Sequence, residues 1–194
     1  MTHPVKSFRS IGHLVIDSEA NSLEFIDLLT ALLRYIKPPE EGFCIVESGT
    51  YCGTTALCAA WTLQQFGLKG HIYTADPNDW ALNLRLKANR LESYITYFQC
   101  DFVEMLDTIK GPVHIALIDC TDWSRRVHHI NAVRSRMASG GLIFVDDMDQ
   151  ADASPGLRAS GILETASVLL HGHRGCAIYQ IRDEDSATVD LAKS

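Results

Sequence analysis

Phe-Cys-Ile-Val-Glu-Ser-Gly-Thr-Tyr-Cys-Gly-Thr-Thr, residues 43–55, carries three signals in succession. Cys44 to Val46 is a short apolar, β-favouring run of the kind found in a strand covered on both faces. Glu47 follows, and then Gly49 and Gly53, four residues apart. From Thr54 the pattern turns helical through Ala56, Leu57, Ala60, Trp61 and Leu63, with a stop at Gly67. Strand, glycine turn and helix together open a nucleotide-binding α/β half. Glycine lets backbone approach a ligand closely, and the helix N-terminus presents N–H groups to an anionic group.

The spacing narrows the ligand. A dinucleotide fingerprint needs G-x-G-x-x-G, whereas this turn is G-x-x-x-G. A phosphate-cradling loop needs Gly-Lys-Ser/Thr, which the chain lacks. The frame Glu47-Ser-Gly49-Thr-Tyr-Cys-Gly53-Thr-Thr55 resembles motif I of class I S-adenosylmethionine (SAM) methyltransferases. It is most similar to the catechol-type, metal-dependent O-methyltransferases. The resemblance, which spans roughly Phe43 to Arg182, implies a single-domain Rossmann-like α/β fold. Its sheet would be mostly parallel and seven-stranded, with a C-terminal antiparallel hairpin. It further implies that Gly49, Thr50, Tyr51, Gly53 and Thr55 surround the methionine portion of SAM. Glu47 would organise the turn and reach the cofactor's amino group through water.

Composition agrees with one domain over residues 1–194: an arm and helix over 1–40, then a core over 43–182. The chain has 194 residues, 46% of them hydrophobic, enough for a sizeable core. A formal charge of −7 disfavours a nucleic-acid surface, which needs a basic face. No run approaches the roughly 18 apolar residues of a membrane span, and no signal-peptide core is present at the start. The expectation is therefore no nucleic-acid partner and no membrane. Six scattered cysteines without Cys-x-x-Cys pairing read as reduced, buried thiols of a cytoplasmic protein. The family resemblance also makes a homodimer an expectation.

Along the chain, residues 1–18 carry no strong period and read as an arm. Leu23, Ile26, Leu29, Leu32, Leu33 and Ile36 recur at helical spacing until Pro38-Pro39. In the family such a helix crosses the cofactor mouth; an amphipathic helix on the sheet edge fits equally. A second strand, Gly70 to Ala75, closes on Asp76, where the family binds ribose. Asn78 or Asp79 then caps a helix through Leu82, Leu84 and Leu91. A third strand, Tyr94 to Gln99, leads to Asp101. The resemblance gives Asp101 the adenine amino group, while its local reading is an N-cap, and one carboxylate serves both.

The fourth strand, from Val113, ends in Asp119, and a helix follows from about Trp123 to Met137. Gly140-Gly141 opens the fifth strand, Leu142 to Val145, which ends in Asp146-Asp147. Neighbouring parallel strands place these acids on one rim. Three carboxylates there need either retained protons or a cation between them. The resemblance makes Asp119, Asp146 and Asp147 ligands of Mg²⁺ or another divalent cation. The family's third ligand is usually Asn, though Asp occurs there in related sugar and aminocoumarin enzymes. Without a metal, Asp119 and Asp146 are strand-end acids common to all class I methyltransferases.

Asp122 is the larger departure, since the catechol-type enzymes place a general-base Lys at that position. Asp122 either takes the acceptor's proton or caps the helix at Trp123, and Asp119 joins it as a catalytic candidate. Cys120 and Thr121 border the adenine in this scheme. His128 and His129 point about 100° apart on their helix and cannot share one metal; one or both read as solvated. Residues 149–160, with Pro155-Gly156, read as a mobile linker near the acceptor mouth. Ala166–Leu170 and Cys176–Ile181 read as the closing hairpin, and the polar tail from Asp183 reads as frayed. The activity implied is methyl transfer from SAM to a hydroxyl of a small-molecule acceptor. The alternatives are a metal-independent N-, C- or O-methyltransferase and a non-catalytic SAM-binding protein.

Overall fold

Alternation along the central strands sorts their side chains onto two faces. In the computed structural model, Ile45, Ile72, Ile115, Leu117 and Phe144 join one core cluster. Their immediate neighbours Val46, Ala116, Ile118, Ile143 and Val145 join the other. Both faces are thus buried, as parallel strands require. The structure describes residues 8–11, 14–17, 29–34, 36–79, 90–120, 122–148, 153–161, 167–171 and 174–182.

Within these residues β1 (Phe8–Ile11) and β2 (Leu14–Asp17) form a two-stranded antiparallel sheet. The arm read for residues 1–18 thus contains a hairpin. Its strands are four residues each, too short for alternation to stand out. A helical segment, α1, covers residues 29–34 of the expected N-terminal helix, with Leu29 and Leu33 fully buried. The main elements are β3 (Phe43–Ser48), α2 (Thr54–Gln65), β4 (Gly70–Ala75) and β5 (Ile95–Phe98). They continue with α3 (Phe102–Thr108), β6 (Val113–Ile118), α4 (Trp123–Arg134) and β7 (Met137–Val145). The chain closes with α5 (Ala153–Ser160), β8 (Ser167–His171) and β9 (Arg174–Gln180).

The main sheet has seven strands in the order β5-β4-β3-β6-β7-β9-β8. The first five run parallel, and β9 pairs antiparallel with both β7 and β8. Helix α2 packs with α1 residues in one cluster, while α3, α4 and α5 contribute to the other.

Three boundaries differ from the sequence reading. Helix α4 stops at Arg134, and β7 begins at Met137 and runs through Gly140-Gly141. Gly140 takes a φ of 73°, so the glycines sit inside the strand beside its irregular register with β6. Residues 153–160, inside the stretch read as a linker, are helical. Gly156 accounts for the helix's seat: a Cβ there would lie 2.3 Å from Cε3 of Trp123. The glycine lets α5 lie against the Trp123 ring, a tertiary contact that turn composition does not reveal. The helix expected through Leu82 and Leu84 and the tail from Asp183 lie outside the described residues. Leu91 is buried and not helical.

Candidate active site

The parallel register carries four strand ends to one edge. Gly49 N–H donates to the Ala75 carbonyl (3.0 Å), and Asp76 N–H to that of Phe98 (3.1 Å). Asp119 N–H donates to the Ser48 carbonyl (2.9 Å), and Asp146 N–H to that of Ile118 (3.1 Å). Asp76, Ser48-Gly49, Asp119 and Asp146 therefore follow one another along the carboxyl rim. That is where open α/β sheets bind their ligands.

At the centre of this rim is the glycine turn. Gly49 has a φ of 90°, and a Cβ there would lie 2.1 Å from the Asp119 carbonyl oxygen. The need for glycine comes from the neighbouring strand end as well as from any ligand. Gly53, left-handed at φ 74°, precedes the first residue of α2, and its carbonyl accepts from Leu57 N–H (2.8 Å). Tyr51 is also left-handed, at φ 41°, with its ring exposed. Its N–H donates to Asp76 Oδ2 (3.1 Å), while Asp76 Oδ1 accepts from Asn78 N–H (2.9 Å). Asp76 thus stands against the turn. Thr50 and Thr55 are buried in the same turn and the first turn of α2.

Beneath the turn, Glu47 is wholly enclosed. Thr74 Oγ1 donates to Glu47 Oε2 (2.5 Å) and lies 2.6 Å from Thr50 Oγ1, so Thr50 supplies the second hydrogen of the chain. Burial raises the Glu47 carboxyl to about 8, more than the Thr74 bond lowers it. Glu47 is therefore mostly protonated at neutral pH and acts as a strut under the turn.

Asp101 caps α3, accepting from Val103 N–H (2.9 Å). Its Oδ2 lies 3.7 Å from Nε2 of His129, whose Nδ1 is 2.6 Å from Ser48 Oγ and 3.6 Å from Cys120 Sγ. His128 is exposed and His129 buried, so one of the pair is solvated. Burial lowers the His129 basicity, which keeps a neutral ring between β3 and α3. Asp122 caps α4: its Oδ1 accepts from Ser124 Oγ (2.6 Å) and Arg125 N–H (2.8 Å). Those bonds hold its carboxyl below the usual range, which makes an exposed Asp122 a weak base.

The acids of β6 and β7 are joined by a residue outside the expected set. Arg126, only 2% exposed, lies on the buried face of α4. Its Nη2 donates to Asp147 Oδ2 (2.7 Å) and Asp119 Oδ1 (3.4 Å). Nε donates to the Cys120 carbonyl (2.6 Å) and Nη1 to the Asp146 carbonyl. Trp123 covers the guanidinium, 5.1 Å from ring centre to Cζ. Asp147 reaches this position through a left-handed backbone, φ 61°, which Asp and Asn adopt more readily than most residues.

This arrangement does not fit the divalent ion expected at Asp119, Asp146 and Asp147. A cation already lies between two of the carboxylates. At an effective dielectric of about 20, two unit charges about 4 Å apart interact by roughly 4 kcal/mol, and a second charge on the ion doubles the repulsion. Asp146 is 0% exposed, and Mg²⁺ keeps several of its waters. Among the described residues, no group of three or more His, Cys, Asp or Glu side chains is arranged to hold a metal ion. Of the two ways to relieve close carboxylates, retained protons or a cation between them, Asp119 and Asp147 have the second, and the cation is Arg126.

Residues 46–148 match the family model described as "Methyltransferase domain". The chain belongs to this family of class I SAM-dependent methyltransferases. No curated protein matches it in sequence. Among solved structures it is similar to cofactor-bound Rv0187 from MTB, at 20% identity and a TM-score of 0.69, covering 86% of this chain and 84% of that one. It is similar also to the O-methyltransferase TomG from Streptomyces achromogenes, solved with SAM, at 18% identity and a TM-score of 0.65, covering 84% and 82%. An rRNA methylase from Streptococcus thermophilus matches at 13% identity and a TM-score of 0.63, covering 82% and 95%. At such identities the likeness speaks for the fold alone. No helix among the described residues is long and apolar enough to cross a membrane.

Proposed function

We propose that this methyltransferase transfers the SAM methyl group to a hydroxyl oxygen of a small-molecule acceptor. The observation that carries the reading is the rim itself: Gly49, Asp76, Asp119 and Asp146 in consecutive strand-end positions. Its groups suit the cofactor. Asp76 offers carboxylate oxygens to a ribose diol, Asp101 an acceptor to the adenine amine, and Cys120 an apolar border to the base. Gly49, Thr50, Tyr51, Gly53 and Thr55 enclose the methionine end. Bound there, SAM supplies a methyl carbon made electrophilic by its sulfonium.

The chain's own contribution is positioning and proton handling. Holding the acceptor oxygen in line with the methyl carbon removes most of the entropic barrier. As the oxygen–carbon bond forms and the carbon–sulfur bond breaks, the hydroxyl proton has to leave. We assign its reception to Asp119, partly exposed beside the turn. Arg126 holds it at 3.4 Å, more loosely than Asp147 at 2.7 Å, so Asp119 is the freer of the two to take a proton. Asp122 is left with the cap of α4. Oxygen as the acceptor atom draws support from the O-methyltransferase TomG among the similar folds. A net charge of −7 favours a small acceptor over the RNA that the similar rRNA methylase's name indicates.

Asp76→Ala tests the cofactor assignment. Calorimetric titration with SAM should show binding weakened by about 1.5–3 kcal/mol, the worth of hydrogen bonds to a charged group. A folded variant with undiminished affinity removes Asp76 from the site. Mass spectrometry of reactions with phenols, vicinal diols and sugars then tests the acceptor class. Methylation confined to amines or carbon would overturn the oxygen assignment.

A further inference from the structure

We infer that Arg126 is a built-in replacement for a divalent metal: its guanidinium holds the acid rim of the proposed acceptor site in shape, and that rim takes up no metal ion while Arg126 is present. The inference rests on the reading of this rim as the acceptor side, but its readout is independent of methylation.

Four contacts support the inference. One guanidinium reaches both carboxylates that flank the rim, Asp119 and Asp147, and also the carbonyls of Cys120 and Asp146. It therefore ties the residues just past β6 to those just past β7, the task a bridging ion would perform. Planarity suits it to this work: a fork of donors can serve two strands at once, which a lysine ammonium does less well. The site is also built around the cation. Trp123 roofs the guanidinium, and Gly156 of α5 lies against the same ring. An arginine merely folded back from the surface would not be 2% exposed with donors on all three nitrogens engaged.

Arg126 acts through Asp119 and Asp147, so it is a positioning residue. Its loss should leave two partly exposed carboxylates facing each other without a counter-charge. Such a pair binds a hard divalent ion through oxygen ligands and retained water.

Mn²⁺ titration followed by electron paramagnetic resonance tests the inference on the full chain. The wild type should retain no Mn²⁺ at millimolar concentration, and neither should Arg126→Lys. Arg126→Gln should bind one ion per chain, and adding Asp147→Asn should abolish that binding. Stoichiometric Mn²⁺ uptake by the wild type, lost in Asp147→Asn, would overturn the inference without any Arg126 variant. So would a folded Arg126→Gln chain that binds none. If Arg126→Gln fails to fold, the wild-type and Arg126→Lys titrations decide. SAM affinity, measured on the same samples, separates failure here from failure of the cofactor assignment.

Discussion

Residues of one type do different work in this site, and each environment says which. Asp76 is buried against the glycine turn, Asp101 and Asp122 cap helices, and Asp119 and Asp147 share a guanidinium. Asp122 is the position where the two readings separate experimentally. Asn caps a helix about as well as Asp, whereas Ala forfeits the cap. Asp122→Asn should therefore keep both turnover and melting temperature near wild type. Asp122→Ala should lose about 1 kcal/mol of stability, measured by denaturant titration. A large fall in turnover for Asp122→Asn, with its fold intact, would restore the base role. The cap was readable from sequence, because an Asp directly before a helical pattern favours that position. What the sequence lacked was the Ser124 hydroxyl bond that deepens it.

At the scale of elements, α4 explains most of what was missed. Its buried residues include Trp123, Arg126, His129, Ile130 and Val133, spaced three or four apart. Arg126 lies at helical spacing between Trp123 and His129, and a charged residue on that stripe is the signal by which sequence can disclose it. Helix α5 was hidden for a different reason. Gly and Pro inside eight residues argue for a turn, and only docking onto Trp123 outweighs them. Gly156→Ala consequently has two opposed effects. It improves helix propensity by up to about 1 kcal/mol. It also drives a methyl group into the Trp123 ring, and overpacking costs about 1–3 kcal/mol. We expect net destabilisation in thermal melts, together with altered Trp fluorescence as the ring shifts. A gain in stability would mean that α5 does not press on Trp123.

For the molecule as a whole, Glu47 should set part of the pH dependence of stability. Its carboxyl titrates at about 8 when folded, against an ordinary value of 4.5. Between these pH values the unfolded chain has lost a proton that the folded chain keeps, so stability falls as pH rises. This contribution is whole below about 4.5, is lost progressively towards 8 and is level beyond it. Glu47→Gln should flatten the slope of unfolding free energy between pH 5 and 8 in the absence of SAM. An unchanged slope would show that Glu47 is ionised in the fold.

Local patterns were enough for the parallel core. Apolar runs ending in acids gave the strands and their rim, and the glycine spacing gave the turn, because both depend on neighbours in sequence. The identity of the cation among the acids depended instead on tertiary structure. Arg126 meets Asp147 across 21 positions and Asp119 across seven, and only packing of α4 beneath the rim brings those charges together. Sequence determined that Asp119, Asp146 and Asp147 would share one rim and need either retained protons or a positive charge, since close carboxylates repel. The folded chain decided that a buried arginine, roofed by Trp123, supplies it.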